Sequence, residues 1–236
     1  MNRHLTGIAL GASLAFAIPA HAVELTGAEV GASHSFFVDD TSVSKTTLQG
    51  SAELGFGPMF GVQGDLGVNW LNESDETATS ATLHGLYHVN DQTSLGLFYG
   101  SDKLDGEHRD YYGFEVGQKG PSFDVEAYVG RGEDSGLTGT MMGVEGRFAV
   151  SGAFGLGGKL QNADFDDDAS MTRVGLTGDY TMPNGMGLTA ELGRLNSDGL
   201  GVGDETYVGI GAKMSFGPNQ GVTFGKRGLL DVLPGL

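Results

Sequence analysis

The sequence predicts an all-β fold: a closed antiparallel transmembrane barrel of about twelve strands, in a range of ten to fourteen, with short turns at one end and longer acidic loops at the other. Three observations predict it. Apolar and polar residues alternate in nearly every segment, turn signals recur at intervals of about 29 to 34 residues, and aromatic rings gather at segment ends. The alternation is clearest in "FGPMFGVQGDLGVNWL", residues 56–71. There Phe60, Val62, Leu66, Val68 and Trp70 share one face, while Gln63, Asp65 and Asn69 share the other.

The chain opens with Arg3 and His4, an apolar run from Leu5 to Ile18, and the small-residue pattern Ala20-His21-Ala22. This reads as a secretory signal, residues 1–22, cleaved after Ala22. The mature chain is then acidic: removing Arg3 leaves 12 basic against 30 acidic residues, a net charge of −18. Nucleic acid is therefore not expected as a partner. Cysteine is absent, so no disulfide holds an exported chain of this size together. Glycine, at 42 of 236 residues, argues against helices. No later segment reaches the ~20 apolar residues of a spanning helix, so any membrane crossing is by strands.

Turn signals stand near 57 ("FGPM"), 91 ("VNDQT"), 120 ("KGPS"), 151 ("VSGA"), 183 ("MPNG") and 217 ("FGPNQ"). Pro58, Pro121, Pro183 and Pro218 all fall in them, and the intervening segments hold no proline, as hydrogen-bonded strands require. Between them lie a second kind of connection: 39–45, 72–77, 101–110, 131–137, 162–169 and 196–205. These carry 18 acidic against 4 basic residues. The twelve strands expected between the two sets are 27–38, 46–56, 59–71, 78–89, 93–100, 111–118, 123–130, 138–150, 153–161, 170–182, 186–195 and 205–216. Residues 23–216 thus form the barrel, and 217–236 remain as a tail.

One face of these strands is apolar and the other carries charge: Glu53, Asp65, Glu115, Asp124, Glu126, Glu145, Arg147, Lys159, Arg173, Asp179, Glu191 and Lys213. Which face is outside is decided by the rings. Phe56, Phe60, Tyr87, Phe123, Phe148, Phe154, Tyr180 and Phe216 lie beside the short turns, and Trp70 and Tyr99 lie towards the acidic connections. Two aromatic girdles flanking an aliphatic band describe a hydrocarbon-facing exterior. A soluble sandwich would set its large rings mid-strand, where packing is deepest. Closure follows, because an open strand edge in hydrocarbon costs several kcal/mol per unpaired group.

On this alternation, the girdles, and "GAKMSF" (211–216) as a terminal-strand signal, the mature chain resembles Gram-negative outer-membrane β-barrels of the porin type. The start "VELTGAEVGASHSFF" looks like the first strand of alphaproteobacterial porins. The resemblance implies the cell outer membrane, periplasmic short turns, extracellular acidic loops, and contact with outer-membrane lipid and lipopolysaccharide. It implies a passive channel for small polar solutes or ions, with the charged residues above lining the pore and no cofactor. Eight carboxylates against four basic side chains imply a weak preference for cations. The alternative is a non-conducting barrel with a structural, adhesive or partner-binding role. Two departures from the porin pattern stand out: no loop is long enough for a constriction loop, and "GPNQGVTFGKRGLLDVLPGL" follows the last strand. That tail is expected in the periplasm, in the lumen as a plug, or as a further strand from Val222.

Other chemistry is weakly encoded. Asp164, Asp166 and Asp168 match the opening spacing of an EF-hand loop, but Ala169 stands for its glycine and Gly175 for its closing glutamate, so no metal site is expected. Barrel phospholipases use a lipid-facing serine–histidine pair; here His34, flanked by Ser33 and Ser35, is the only histidine on an apolar face, and alternation points the three in different directions. His84 and His88 share the polar face and are too few for a metal site. An enzyme is not expected.

Overall fold

The computed structural model describes residues 23–134, 137–166, 169–199 and 203–234. The expected signal segment and parts of three acidic connections, Asp168 included, lie outside them. Twelve strands form one closed sheet: β1 (Glu24–Phe37), β2 (Ser44–Gly55), β3 (Phe60–Leu71), β4 (Glu76–His88), β5 (Thr93–Leu104), β6 (Glu107–Lys119), β7 (Phe123–Asp134), β8 (Leu137–Ala149), β9 (Phe154–Phe165), β10 (Ala169–Thr181), β11 (Met186–Asp198) and β12 (Glu205–Phe216). Each strand pairs antiparallel with its sequence neighbours. The seam closes between β1 and β12, from Ala28 opposite Phe216 to Phe37 opposite Tyr207. Every strand thus has a partner on both edges, and no row of backbone donors and acceptors faces the surroundings.

Burial is inverted relative to a water-soluble protein. Leu66, Leu83, Phe114 and Leu176 are 67%, 58%, 68% and 72% exposed, whereas Glu53, Gln63, Asp65 and His84 on the opposite face are at most 1% exposed. Such an exterior is stable only against hydrocarbon. The expected girdle residues Phe60, Trp70, Tyr87, Tyr99, Phe123, Phe148, Phe154 and Phe216 are exposed on the outer face, with Phe56 and Tyr180 half-buried. Directly opposed in the β3–β4 and β9–β10 ladders, Phe60 and Tyr87 pack with ring centroids 5.3 Å apart, and Phe154 and Tyr180 at 4.7 Å.

The connections expected to be long and acidic are corrected. Those joining β1–β2, β3–β4 and β5–β6 span six, four and two residues, little different from the opposite end. The strands run on into the acidic segments: Asp102 faces Arg109, Lys103 faces His108, and Leu104 faces Glu107. Beyond the apolar band both faces meet water, so polar residues carry the ladder on and imitate a loop in composition. Asp105 and Gly106 alone make the β5–β6 turn, both at positive φ (50° and 82°), as a two-residue hairpin requires. In the β1–β2 connection the Ser42 side chain and amide both donate to Asp40, holding that carboxyl below its ordinary range.

After β12 the chain reverses. Gly217, Gln220 and Gly221 take positive φ, and the Asn219 amide donates to the Thr26 carbonyl at 2.9 Å. Residues 222–234 then run inside the barrel, extended to Gly228 and ending in the short helix α1 (Leu229–Val232), without joining the sheet as a further strand. Gly27 makes this possible. It sits at an irregularity in the β1–β2 register, and a Cβ there would lie 1.7 Å from the Gly221 carbonyl oxygen. Gly27→Ala is therefore expected to displace the 217–221 turn while leaving the twelve strands paired. Faster hydrogen exchange at the Asn219 amide, with unchanged protection in β3–β10, is the result to look for.

Candidate functional site: a charged lumen occupied by the tail

Strand alternation turns the charged residues inward, where they form two unlike walls. Along β8–β12 they pair with one another. Arg147 grips Asp179 with two hydrogen bonds, of 2.7 and 2.6 Å. Glu191 accepts from Arg173 at 2.8 Å, from Lys159 at 3.0 Å and from the Tyr207 hydroxyl. Glu145 lies 3.9 Å from Lys159 and is half-exposed, and Lys213 reaches Glu29 at 3.3 Å. Asp124 faces Arg147 across the β7–β8 ladder. Like and unlike charges thus alternate along this wall, and each cation has a carboxylate beside it.

On the β2–β7 wall the partner is the tail. Gln63 holds Phe224 by both backbone groups: its amide nitrogen donates to the Phe224 carbonyl at 2.7 Å, and its amide oxygen accepts the Phe224 N–H at 3.1 Å. A side-chain amide thereby stands in for a neighbouring strand. The Phe224 ring is buried where Gly96 and Gly117 leave the wall bare, near the His84 ring. Glu53 accepts the Thr223 amide at 2.8 Å, and Glu126 the Gly225 amide at 3.1 Å. Arg227 spans two strands, donating to Glu115 and Glu126 at 3.0 Å each and lying 4.4 Å over the Tyr128 ring. Behind it His84 faces Glu115 at 2.6 Å and Asp65 at 2.8 Å. Higher up, Asp102 accepts the Leu230 amide at 3.1 Å, Lys45 donates to the Leu230 and Leu233 carbonyls, and Arg173 donates to the Asp231 carbonyl at 2.6 Å.

The tail's end is apolar and meets apolar walls. Leu229 and Val232 join Phe37, Phe98, Tyr111, Met141, Ala163, Met171, Leu195 and Tyr207 in one buried cluster, to which eight of the twelve strands contribute. Such a cluster crosses the lumen near the acidic end. Below it, between the tail and the β8–β12 wall, a cavity of about 340 Å³ remains, lined by Glu145, Lys159, Arg173, Glu191 and Lys213 among others. Among the described residues no group of three or more His, Cys, Asp or Glu is placed to hold a metal ion.

Sequence reasoning marked the charged strand positions but not Lys45, Asp102, Tyr111, Tyr207 or the tail cations Lys226 and Arg227. The inward rings had a readable signal, since doublets such as Phe36-Phe37, Phe98-Tyr99, Tyr111-Tyr112 and Met141-Met142 put an apolar residue on both faces.

Similar architectures are known. A KdgM porin superposes with a TM-score of 0.60 at 14% identity, covering 80% of this chain and 99% of that one. A NanC porin gives 0.64 at 10% identity, covering 78% and 98%. The fold is that of an outer-membrane porin. An outer membrane channel from Pseudomonas putida F1 agrees, with a TM-score of 0.58 at 13% identity over 84% of this chain and 97% of that one. No protein-family model and no curated protein sequence matches the chain.

Proposed function

We propose that this chain is a porin-like channel of the cell outer membrane, passing small polar solutes or ions passively through its lumen. The observation that carries this reading is the pairing of a hydrocarbon-facing exterior with an ionised interior that keeps a 340 Å³ cavity beside the tail. Glu126, Glu145, Lys159, Arg173, Glu191 and Lys213, around that cavity, line the pore with Asp124, Arg147 and Asp179, and Glu53, Asp65 and Glu115, buried under the tail, join them only where the tail is absent. With the neutral, proline-bearing turns on the periplasmic side, the acidic end faces outward and meets lipopolysaccharide through bridging divalent ions. A KdgM porin of the same fold has been captured with a disordered oligogalacturonate. By analogy a small polar solute is the cargo, and no cofactor takes part.

The preference for cations is weak, because most lumen charges are already paired and the acidic end supplies the excess. Reversal potentials in a potassium chloride gradient are expected to show modest cation selectivity that fades as salt rises and screens the mouth. Anion selectivity at all salt concentrations would refute that part. Liposome swelling with neutral sugars of increasing size tests passage itself: the channel reading predicts size-limited entrance. The second reading, a non-conducting structural barrel, is favoured by one observation, the buried cluster across the lumen. It predicts no swelling with any sugar.

A further inference from the structure

We propose that residues 222–234 are a releasable autoinhibitory plug, held in the lumen by charge together with its apolar end and covering an acidic wall that attracts cations once the plug leaves. This rests on the channel reading above only for what release does to conduction.

Four observations support release over permanent attachment. First, the segment joins no β-ladder; its backbone is held by side chains of the wall, so the barrel's own hydrogen bonding is complete without it. Second, its connection to β12 is a turn with Gly217 and Gly221 at positive φ, and Gly225 and Gly228 follow, so the segment can pivot out through the end at which it enters. Third, the fit is incomplete: Asp102 Oδ1, Arg227 Nη2 and Asp231 Oδ2 are buried without a protein partner. Fourth, the cavity beside it gives it room to move.

Charge explains both the holding and the consequence. The covered wall carries Glu53, Asp65, Asp102, Glu115 and Glu126, against Lys45 and His84 of its own. Arg227 supplies the missing positive charge to Glu115 and Glu126 directly, whereas Lys226 is paired inside the plug with Asp231 at 3.0 Å and lies 3.2 Å from Ser80, so residues 222–234 bring a net charge of +1. When the plug leaves, the Arg227 charge leaves with it and Glu115 and Glu126 lose their partner. Opening and a shift towards cation selectivity are therefore one event.

The full chain supports the test. It has no cysteine, and a Cβ on Gly228 would lie 3.3 Å from Asp102 Cγ, where a cysteine sulfur would sit. In the double variant Asp102→Cys/Gly228→Cys, mild copper–phenanthroline oxidation should lock the plug, and dithiothreitol should free it. Two readouts are taken. Trypsin cuts after Lys226 and Arg227, which are reachable only outside the barrel; the reduced and wild-type chains should lose the residues beyond them slowly, and the oxidised chain should stay linked. In planar bilayers the oxidised chain should keep only the small, weakly selective conductance of the cavity beside the plug, and the reduced chain should conduct more and with a stronger preference for cations. The variant Lys226→Glu/Arg227→Glu, which sets like charges against Glu115 and Glu126, should raise open time by about a hundredfold and make the pore clearly cation-selective.

Complete protection of the Arg227–Gly228 bond in the wild-type chain overturns the proposal, since the tail would then be a fixed strut. Equal conductance of the locked and reduced forms overturns it too, because the plug would not gate. Cleavage without conductance in any variant supports release of the plug and sinks the channel reading instead.

Discussion

Replacing Arg227 by alanine is expected to free the tail from its wall while leaving the barrel folded. The guanidinium is buried and bridges Glu115 and Glu126, with Glu115 in turn facing His84. Removing one partner of a buried ion pair costs ~3–5 kcal/mol, mostly because the other charge stays behind uncompensated. Here two carboxylates are left. The cost falls on docking of the tail, because the twelve ladders contain none of its atoms. At ~1.4 kcal/mol per tenfold change, the undocked state becomes about a hundred to several thousand times more populated. Hydrogen exchange reads it directly. The amides of Thr223, Phe224, Gly225 and Leu230, which donate to Glu53, Gln63, Glu126 and Asp102, should lose protection together, with the strand amides unchanged. Arg227→Lys keeps the charge but reaches only one carboxylate, and should fall between. Unchanged exchange at all four amides in Arg227→Ala would show that the ion pairs do not hold the segment.

The second large effect concerns the exterior. Leu176 is 72% exposed near the middle of β10, between Gly158 and Leu192. An arginine there should destabilise the barrel in lipid vesicles by ~2–4 kcal/mol, measured by reversible urea unfolding. Val150, also exposed at 58% but in the connection after β8, should accept arginine at a cost of ~0–1 kcal/mol, since it stands near the interface. The contrast between the two positions is the signature of a bilayer. Equal, small effects at both would mean that the apolar face meets something other than hydrocarbon.

The parts of this molecule legible in its sequence are those governed by local rules. A period of two fixed which side chains share a face, and proline and glycine turns fixed where strands break. The strands from 59–71 to 205–216 lie within a few residues of their expected bounds, apart from their polar ends. Those ends misled because composition reports exposure to water, whereas strand pairing depends on the backbone. Asp105-Gly106, a two-residue hairpin signal, marked the true turn inside what read as a ten-residue loop.

What stayed illegible depends on register between distant strands. Asp65, His84 and Glu115 meet because β3, β4 and β6 bring residues 19 and 31 positions apart to one spot. The tail's site is built the same way, from Gln63, Gly96, Glu115 and Glu126 on four strands. Nothing local announces it beyond two adjacent cations, Lys226 and Arg227, in a chain with 30 acidic residues.

The extension of β5 and β6 to a two-residue turn has a consequence for the rim of the barrel. Strands of 12 and 13 residues, tilted as barrel strands are, stand ~30 Å tall against an apolar band of ~25 Å. The excess forms a stiff collar of paired backbone standing beyond the apolar band. The hairpin is thus a rigid rim with a single tight tip, and substitutions at Asp105 and Gly106, the two residues at positive φ, should loosen it while its neighbours in the ladder stay protected from hydrogen exchange.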